Sequence, residues 1–212
     1  MGKLILVRHG ESTGNRERIY ATRPHELALT ELGEQQAREA GARIARLFAP
    51  ELVVASTYVR ARETARLIAE VLSLPLRIEE DLHERDLGQF RGQPYNAMST
   101  APDFDARRPW QWRPPQGESL EDVQARVVPV IERLAQSHRE RDVVVVSHGG
   151  VIISGRSGQV GGAGIGVTVT KVDVYVKRRA ARNIQDCLIH FVGSCRLLGQ
   201  NSDVECTIGK AA

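Results

Sequence analysis

Two side chains suited to phosphate chemistry stand next to each other near the start of the chain. The apolar run Leu4-Ile5-Leu6-Val7 ends at Arg8-His9-Gly10. Arg8 is a permanent cation whose planar group of donors matches phosphate oxygens. His9, when unprotonated, can attack phosphorus as a nucleophile. The pair therefore indicates an anion site, and a phosphate is the guest that suits both side chains.

Two later segments bring the same kinds of side chain to the end of an apolar run. Arg60 follows the run 52–55 and lies near the start of a predicted helix, where backbone N–H groups favour an anion. His148 follows the valine run 143–146. Two arginines and two histidines around one point are costly to bury unless an anion neutralises them.

Strands and helices must hold these side chains in place, and the hydrophobic pattern predicts both in alternation. Strands are predicted over residues 3–7, 52–55, 76–78 and 142–146. Helices are predicted from Thr30 to Phe48, from Ser56 to about Leu72, and from Ser119 to about His138, with a kink at Pro129. The segment 84–117 is rich in glycine and proline, which is typical of a lid or binding loop.

Capping signals mark two of these helix starts. Thr30 precedes Glu31 and Glu34, which suit a first helical turn, and Ser119 with Asp122 resembles a capping box. The first helix is predicted to bury the apolar residues that recur at helical spacing, namely Leu32, Ala40, Ile44 and Leu47.

The order of the elements predicts an α/β protein in which helices cover both faces of a mostly parallel sheet, giving three layers, α/β/α. In a parallel sheet the carboxyl ends of the strands lie at one edge, where ligands bind. Arg8, His9, Arg60 and His148 are therefore expected to converge there.

The chain resembles the histidine phosphatase superfamily, in its phosphoglycerate-mutase-like branch, over about residues 3–150. The resemblance rests on six elements that occur in order: Arg8-His9-Gly10-Glu11-Ser12-Thr13-Gly14-Asn15, Ala28-Leu29-Thr30-Glu31-Leu32-Gly33, Arg60-Ala61-Arg62-Glu63-Thr64-Ala65, Leu82-His83-Glu84-Arg85-Asp86-Leu87-Gly88, Gly117-Glu118-Ser119 and Ser147-His148-Gly149. It implies a phosphoglycerate-mutase-like fold. A length of 212 residues is enough for one sizeable domain and too short for two, so residues 1–212 are predicted to form a single domain.

The resemblance also implies roles for individual residues. His9 is expected to attack phosphorus and carry a phosphohistidine intermediate, while Arg8, Arg60 and His148 hold the phosphoryl oxygens. Glu84 is expected to act as general acid and then as general base. The expected substrate-binding residues are Ser12, Asn15, Arg16, Thr22 and Gly149. No metal and no other cofactor is expected, because fixed cations neutralise the charge.

Some assignments stay open on the residues alone. The acid could be any of several neighbouring carboxylates, namely Glu79, Glu80, Asp81, Glu84 and Asp86, and only the resemblance favours Glu84. Asn15 could cap a turn instead of binding substrate. Trp110 and Trp112 could line a pocket or anchor the proline-rich loop to the core.

Three functions are compatible with these residues. The favoured one is a metal-independent phosphomonoesterase acting on small phosphorylated metabolites. The second is a 2,3-bisphosphoglycerate-dependent phosphoglycerate mutase, but the segments 20–24 and 84–88 lack the Gly-Trp-x-Asp and His-Tyr-Gly patterns of the mutases. Arg107-Arg108 before Pro114-Pro115 is similar to a mutase segment. The third is a non-catalytic phosphate-binding protein, which would need neither a nucleophile nor an acid.

Composition bounds the partners and the compartment. The formal net charge of +3 is too small to indicate nucleic-acid binding. No secretory signal and no run of about 18 apolar residues is visible, so a cytoplasmic protein without a membrane partner is expected. The three cysteines fit no zinc pattern, which favours reduced thiols. A homodimer is left open.

The stretch 151–212 departs from the family pattern. Six glycines within 155–166 argue against the long helix that the family places after its second histidine. Strands are predicted at 167–176 and 188–192 instead, and all three cysteines lie in this stretch. It is predicted to be an atypical tail, either a divergent end of the same domain or a sequence unrelated to it.

Overall fold

A computed structural model describes residues 2–21, 26–104 and 110–152, together with the backbone of two strands farther along the chain. The strands are β1 (Leu4–Arg8), β2 (Pro50–Ser56), β3 (Leu76–Glu79), β4 (Asp142–Ser147), β5 (Gly164–Val169) and β6 (Val172–Lys177). The helices are α1 (Thr13–Glu17), α2 (Glu31–Leu47), α3 (Val59–Leu72), α4 (Asn96–Ser99) and α5 (Leu120–Ser137). Two short 3-10 turns lie at Glu80–Leu82 and Gly88–Phe90.

The sheet has the strand order β3-β2-β4-β1-β6-β5. The first four strands run parallel to one another, and β6 pairs antiparallel with β1 and with β5. Arg8 lies opposite Ser147 across the β1–β4 pair, and Ala55 lies opposite Val146 across the β2–β4 pair. The carboxyl ends of β1, β2 and β4 are therefore level with one another, and the prediction of a mostly parallel α/β sheet is confirmed.

Each face of the parallel part of the sheet has its own hydrophobic core. On one face α2 and α3 pack on side chains of β1, β2 and β4, through residues that include Ala40, Ile44, Ala65 and Ile68. On the other face α5 packs on the alternate residues of the same strands through Val123, Val127, Val130 and Leu134. The valine run of β4 contributes to both cores, because successive side chains of a strand point to opposite faces.

The capping predictions are confirmed. The hydroxyl of Thr30 accepts a hydrogen bond from the Gly33 backbone N–H at the start of α2, and Ser119 and Asp122 form the reciprocal capping box of α5. The predicted buried face of α2 is wrong at its ends, since Leu32 is 39% exposed and Leu47 is 48% exposed. Both leucines lie in the terminal turns of the helix.

Two predicted elements are corrected by the structure. Ser56 does not open α3: it is the last residue of β2, opposite Glu79 of β3, and the helix starts after Tyr58 without a side-chain cap. The single strand predicted at 167–176 is wrong as well, because β5 and β6 are separate antiparallel strands. The strand predicted at 188–192 lies outside the described residues, as does most of the predicted tail.

The segment 84–117 packs on itself around a buried tryptophan. Trp112 is buried, and its ring centroid lies 5.9 Å from that of Phe90 and 5.0 Å from that of Phe104. Its carbonyl oxygen accepts a hydrogen bond from Nη2 of Arg85. Because these partners belong to the same segment, both alternatives for Trp112, a pocket wall and an anchor to the core, stay predictions. In the part of the chain that the structure describes, no helix has the length and apolar character needed to cross a membrane.

Candidate active site

His9 directly follows β1 and is held by its own backbone. Its N–H donates to the carbonyl oxygen of Ser147, 3.0 Å away, which ties it to the neighbouring strand. Its Nδ1 lies 2.7 Å from the carbonyl oxygen of Gly10. A carbonyl oxygen only accepts, so Nδ1 carries the ring proton and Nε2 presents a lone pair. That lone pair accepts a hydrogen bond from Nε of Arg60 at 3.1 Å.

The surroundings of His9 keep the ring neutral. Its pKa is lowered well below the ordinary value of 6.5, first by burial and then by the charges of Arg60 and Arg8. Burial disfavours the charged imidazolium, and two nearby cations disfavour it further. A neutral ring with an available Nε2 lone pair is the form that can attack phosphorus.

Arg60 is a buried cation beside His9. It lies in the first turn of α3, is only 6% exposed, and its guanidinium carbon is 5.0 Å from the centroid of the Tyr58 ring. Burial lowers its pKa, and the charge of Glu84 is the largest effect in the opposite direction. Among the described residues no carboxylate lies within ion-pair distance of Arg60, and its Nη1 is buried without a hydrogen-bond partner.

His148 is fully buried on the far side of the same cluster. It follows β4, and its ring centroid lies 5.2 Å from that of His9. Its Nε2 is 2.7 Å from Oγ of Ser56, and its Nδ1 has no partner among the described residues. Burial is the main cause that lowers its pKa well below 6.5, followed by the charge of Arg60 and the electrostatic interaction with the neighbouring His9.

Arg8 and Gly149 complete the edge of the sheet. Arg8 is the half-buried last residue of β1, and a Cβ atom built on Gly149 would lie 3.7 Å from its Nε. Residues 149–152 form a helical turn in which the Ile152 N–H donates to the carbonyl of His148. The structure thus brings Arg8, His9, Arg60 and His148 together at one edge of the sheet, as predicted.

Glu84 faces this cluster from the loop after the first 3-10 turn. One carboxylate oxygen, Oε1, accepts a hydrogen bond from the Arg85 backbone N–H at 2.8 Å. The other, Oε2, accepts one from the Gly150 N–H at 3.4 Å, only two residues from His148. The backbone of Glu84 is held as well, since Nη2 of Arg126 donates to its carbonyl oxygen.

The other candidate acids are occupied or exposed. Glu79 forms an ion pair with Arg133, and Asp86 forms one with Arg91. Glu80 and Asp81 are exposed. Glu84 is therefore the carboxylate of that set that the structure brings to the cluster.

The predicted substrate-binding residues have different positions. Ser12 and Asn15 form a reciprocal capping box on α1, and Nδ2 of Asn15 donates to the Tyr95 hydroxyl at 3.0 Å. Asn15 therefore caps a helix, as its alternative interpretation had it, and one amide N–H points to Tyr95. Arg16 is exposed, and its Nη2 lies 3.7 Å from Oε1 of Glu17. Thr22 lies outside the described residues.

Three residues of this region were not singled out by sequence reasoning. Ser56 contacts His148, Tyr58 lies between Arg60 and His148, and Tyr95 holds Asn15. Ser56 could have been found from its place directly after an apolar strand. The position of Tyr95 follows only from the tertiary fold, because 80 residues separate it from Asn15.

No arrangement of three or more histidine, cysteine, aspartate or glutamate side chains suited to a metal ion occurs among the residues that the structure describes. The charged groups that the cluster does offer are arginines. Such a site can bind and polarise a phosphoryl group by fixed cations and hydrogen-bond donors.

Comparison with known proteins agrees with this geometry. The sequence is 37% identical over 182 residues to a 2,3-bisphosphoglycerate-dependent phosphoglycerate mutase of Chelativorans sp. (strain BNC1), covering 74% of this chain and 84% of that protein. A solved mycobacterial glucosyl-3-phosphoglycerate phosphatase in complex with VO3 is 32% identical, with a TM-score of 0.64 over 73% of this chain and 78% of that one. A putative α-ribazole-5'-P phosphatase from Escherichia coli is 29% identical, with a TM-score of 0.60 over 72% and 76% of the two chains.

The family assignment follows from a match that spans most of the chain. The sequence model of the histidine phosphatase superfamily (branch 1) matches residues 4–157, which include both histidines, both arginines and Glu84. The resemblance in the motifs, the parallel sheet and the cluster at its edge all agree with that match. The chain belongs to the histidine phosphatase superfamily, in its phosphoglycerate-mutase-like branch.

Proposed function

We propose that the protein is a metal-independent phosphomonoesterase that hydrolyses small phosphorylated metabolites through a phosphohistidine on His9. The observation that carries the proposal is a pair of buried nitrogen atoms close to a neutral His9, Nη1 of Arg60 and Nδ1 of His148, which have no hydrogen-bond partner among the described residues. Buried polar atoms without partners are costly, and a phosphoryl group supplies oxygens for both.

In the first step the Nε2 lone pair of His9 attacks phosphorus. A new N–P bond forms as the P–O bond to the alcohol breaks. For this attack Arg60 must break its hydrogen bond to Nε2 of His9. Its N–H groups then donate to the phosphoryl oxygens instead. The ring proton stays on Nδ1, which donates a hydrogen bond to the Gly10 carbonyl oxygen, and this bond holds the ring in its reactive tautomer. Arg8, Arg60 and His148 stabilise the charge that develops on the phosphoryl oxygens.

Glu84 moves the protons of the two steps. Its protonated carboxyl gives a proton to the departing alcohol oxygen, and the resulting carboxylate then takes a proton from the attacking water. The water oxygen bonds to phosphorus, the N–P bond breaks, and inorganic phosphate leaves with His9 restored. The contacts of Glu84 with the Arg85 and Gly150 N–H groups hold it beside the site through both steps.

A phosphoglycerate mutase is the second candidate, and the identity to curated mutases favours it. A mutase returns the phosphoryl group of His9 to a second hydroxyl of the substrate, so water must not reach the intermediate. The phosphatase neighbours among solved structures support hydrolysis. A binding protein without turnover is the third candidate, and the position of Glu84 beside the cluster argues against it.

One set of assays separates these candidates. The purified protein is incubated with p-nitrophenyl phosphate, 3-phosphoglycerate, glucosyl-3-phosphoglycerate and α-ribazole 5'-phosphate, each with and without EDTA. A phosphatase releases inorganic phosphate in EDTA, and His9→Ala abolishes the release. A mutase converts 3-phosphoglycerate to the 2-isomer faster than it releases phosphate. A protein that binds phosphate but turns over none of these esters would favour the third candidate.

A further inference from the structure

We infer that Ser56 is a positioning residue that sets the tautomer of His148, so that the ring proton lies on Nδ1 and is offered to the phosphoryl group. The inference rests on the proposed function, because it assigns His148 a hydrogen bond to the substrate. It depends on three observations: where Ser56 lies, which hydrogen bonds its hydroxyl makes, and which atom of His148 is left without a partner.

Ser56 is placed by the sheet itself. It is the last residue of β2, fully buried, and its neighbour Ala55 lies opposite Val146 of β4. Because β2 and β4 are parallel and level, the residue that ends β2 lies beside the residue that follows β4. That residue is His148, and its Nε2 is 2.7 Å from Oγ of Ser56.

Only one arrangement of hydrogen bonds uses both the oxygen and the proton of the Ser56 hydroxyl. Its oxygen already accepts a hydrogen bond from the Tyr58 backbone N–H at 3.3 Å. Within the described part of the chain its proton has a single acceptor, Nε2 of His148. If Nε2 carried the ring proton and donated it to Oγ, the buried hydroxyl proton would be left without an acceptor there, which is costly. The hydroxyl therefore donates to Nε2.

The consequence falls on the other nitrogen of the ring. A neutral histidine with an acceptor Nε2 carries its proton on Nδ1, and Nδ1 of His148 is buried with no partner among the described residues. The charges of Arg60 and Arg8 both act on His148, and neither guanidinium can accept a hydrogen bond. A phosphoryl oxygen can accept the hydrogen bond of Nδ1 and is attracted by both cations. In the opposite tautomer a lone pair would face that oxygen and repel it.

The tautomer can be read directly. The protein is labelled with ¹⁵N-histidine, and the His148 signals are assigned by their loss in His148→Asn. We expect a protonated Nδ1 and an unprotonated Nε2 in the wild type. In Ser56→Ala the preference should weaken, and in Ser56→Thr, which keeps the hydroxyl, it should return. Ser147→Ala is the matched control, because Ser147 is also a buried serine at a strand end but donates to the Leu82 carbonyl.

Function gives the second readout. Because Ser56→Ala leaves Nε2 without its donor, affinity for inorganic phosphate and kcat/KM should each fall about 10-fold. Ser147→Ala should lower the melting temperature about as much as Ser56→Ala does. It should keep phosphate affinity within about 2-fold of the wild type. An equal loss of phosphate affinity in Ser56→Ala and Ser147→Ala would mean that both buried serines act only through the stability of the fold.

Two results overturn the inference. One is a wild-type His148 with its proton on Nε2, a measurement that needs no Ser56 variant to fold. The other is a folded Ser56→Ala protein with wild-type tautomer and wild-type phosphate affinity. Failure of the proposed function is a different outcome: if the wild type hydrolyses no ester, the tautomer and phosphate affinity still decide the role of Ser56.

Discussion

The substitution Gly150→Ala tests the placement of Glu84 while leaving the residue itself unchanged. A Cβ atom on Gly150 would lie 2.5 Å from Oε1 of Glu84, whereas ordinary contact begins at 3.4 Å. The carboxylate must therefore move by about 0.9 Å, and it loses the contact geometry that holds it against Arg85 and Gly150. A displacement of about 1 Å at a reacting group can cost 10²-fold in rate.

The loss should depend on the leaving group. We expect kcat/KM for an alkyl phosphate to fall roughly 10- to 100-fold in Gly150→Ala, because the alkoxide needs a proton as it leaves. For p-nitrophenyl phosphate we expect a fall of less than about 5-fold, since that phenolate leaves without help. The comparison uses kcat/KM because this constant covers the steps only up to departure of the alcohol, so the later attack of water does not enter.

Gly149→Ala is the matched control for the added methyl group. Its Cβ would lie 3.7 Å from Nε of Arg8, an ordinary contact, and the backbone N–H is kept. We expect a much smaller loss for both esters. Thermal unfolding of both variants should stay close to the wild type, because the group displaced by Gly150→Ala is the flexible end of a side chain. Equal losses for the two esters, or no loss for either, would refute the reasoning.

Three further predictions follow from the same geometry. Glu84→Gln should slow alkyl phosphates by roughly 10²- to 10⁴-fold and p-nitrophenyl phosphate by less in kcat/KM; equal slowing would show that Glu84 is not the acid. Arg60→Met should leave the phosphate-free protein at least as stable as the wild type while abolishing the rise in melting temperature that phosphate gives, because it removes a buried cation that has no carboxylate partner within the described ranges; Arg62→Met, at an exposed position, should keep that rise. The free energy of unfolding should fall as the pH drops below 6.5, because the lowered pKa values of His9 and His148 make the unfolded chain take up protons first, by up to about 1.4 kcal/mol per pH unit for each ring. Urea unfolding at several pH values measures that slope, which His148→Asn should reduce, and an unchanged slope would contradict the assignment.

The sequence predicted those features that depend on interactions between neighbouring residues. The strand ends at Arg8 and His148 and the caps at Thr30 and Ser119 are readable because each depends on a few neighbouring residues. Ser56 was misassigned for the same reason: a serine before a helix has the signature of a cap, and only the strand pairing shows that its hydroxyl is needed elsewhere.

Long-range contacts decided what the sequence left open. Glu84 could be separated from Glu79 only because Arg133, 54 residues away, pairs with the latter. The exposure of Leu32 and Leu47 is likewise a property of the tertiary fold, which helical spacing does not encode. The motifs therefore predicted which residue types meet at the sheet edge, and the tertiary fold determined their hydrogen-bond partners.

The most direct test of the account is to trap the phosphoryl group on His9. The protein is mixed with excess p-nitrophenyl phosphate, quenched within one turnover in alkali, which preserves phosphohistidine, and digested for mass spectrometry. The account predicts one phosphoryl group on the peptide that contains His9, more of it in Glu84→Gln, and none in His9→Ala. Turnover by His9→Ala, or steady hydrolysis by the wild type without phosphorylated His9, would contradict it.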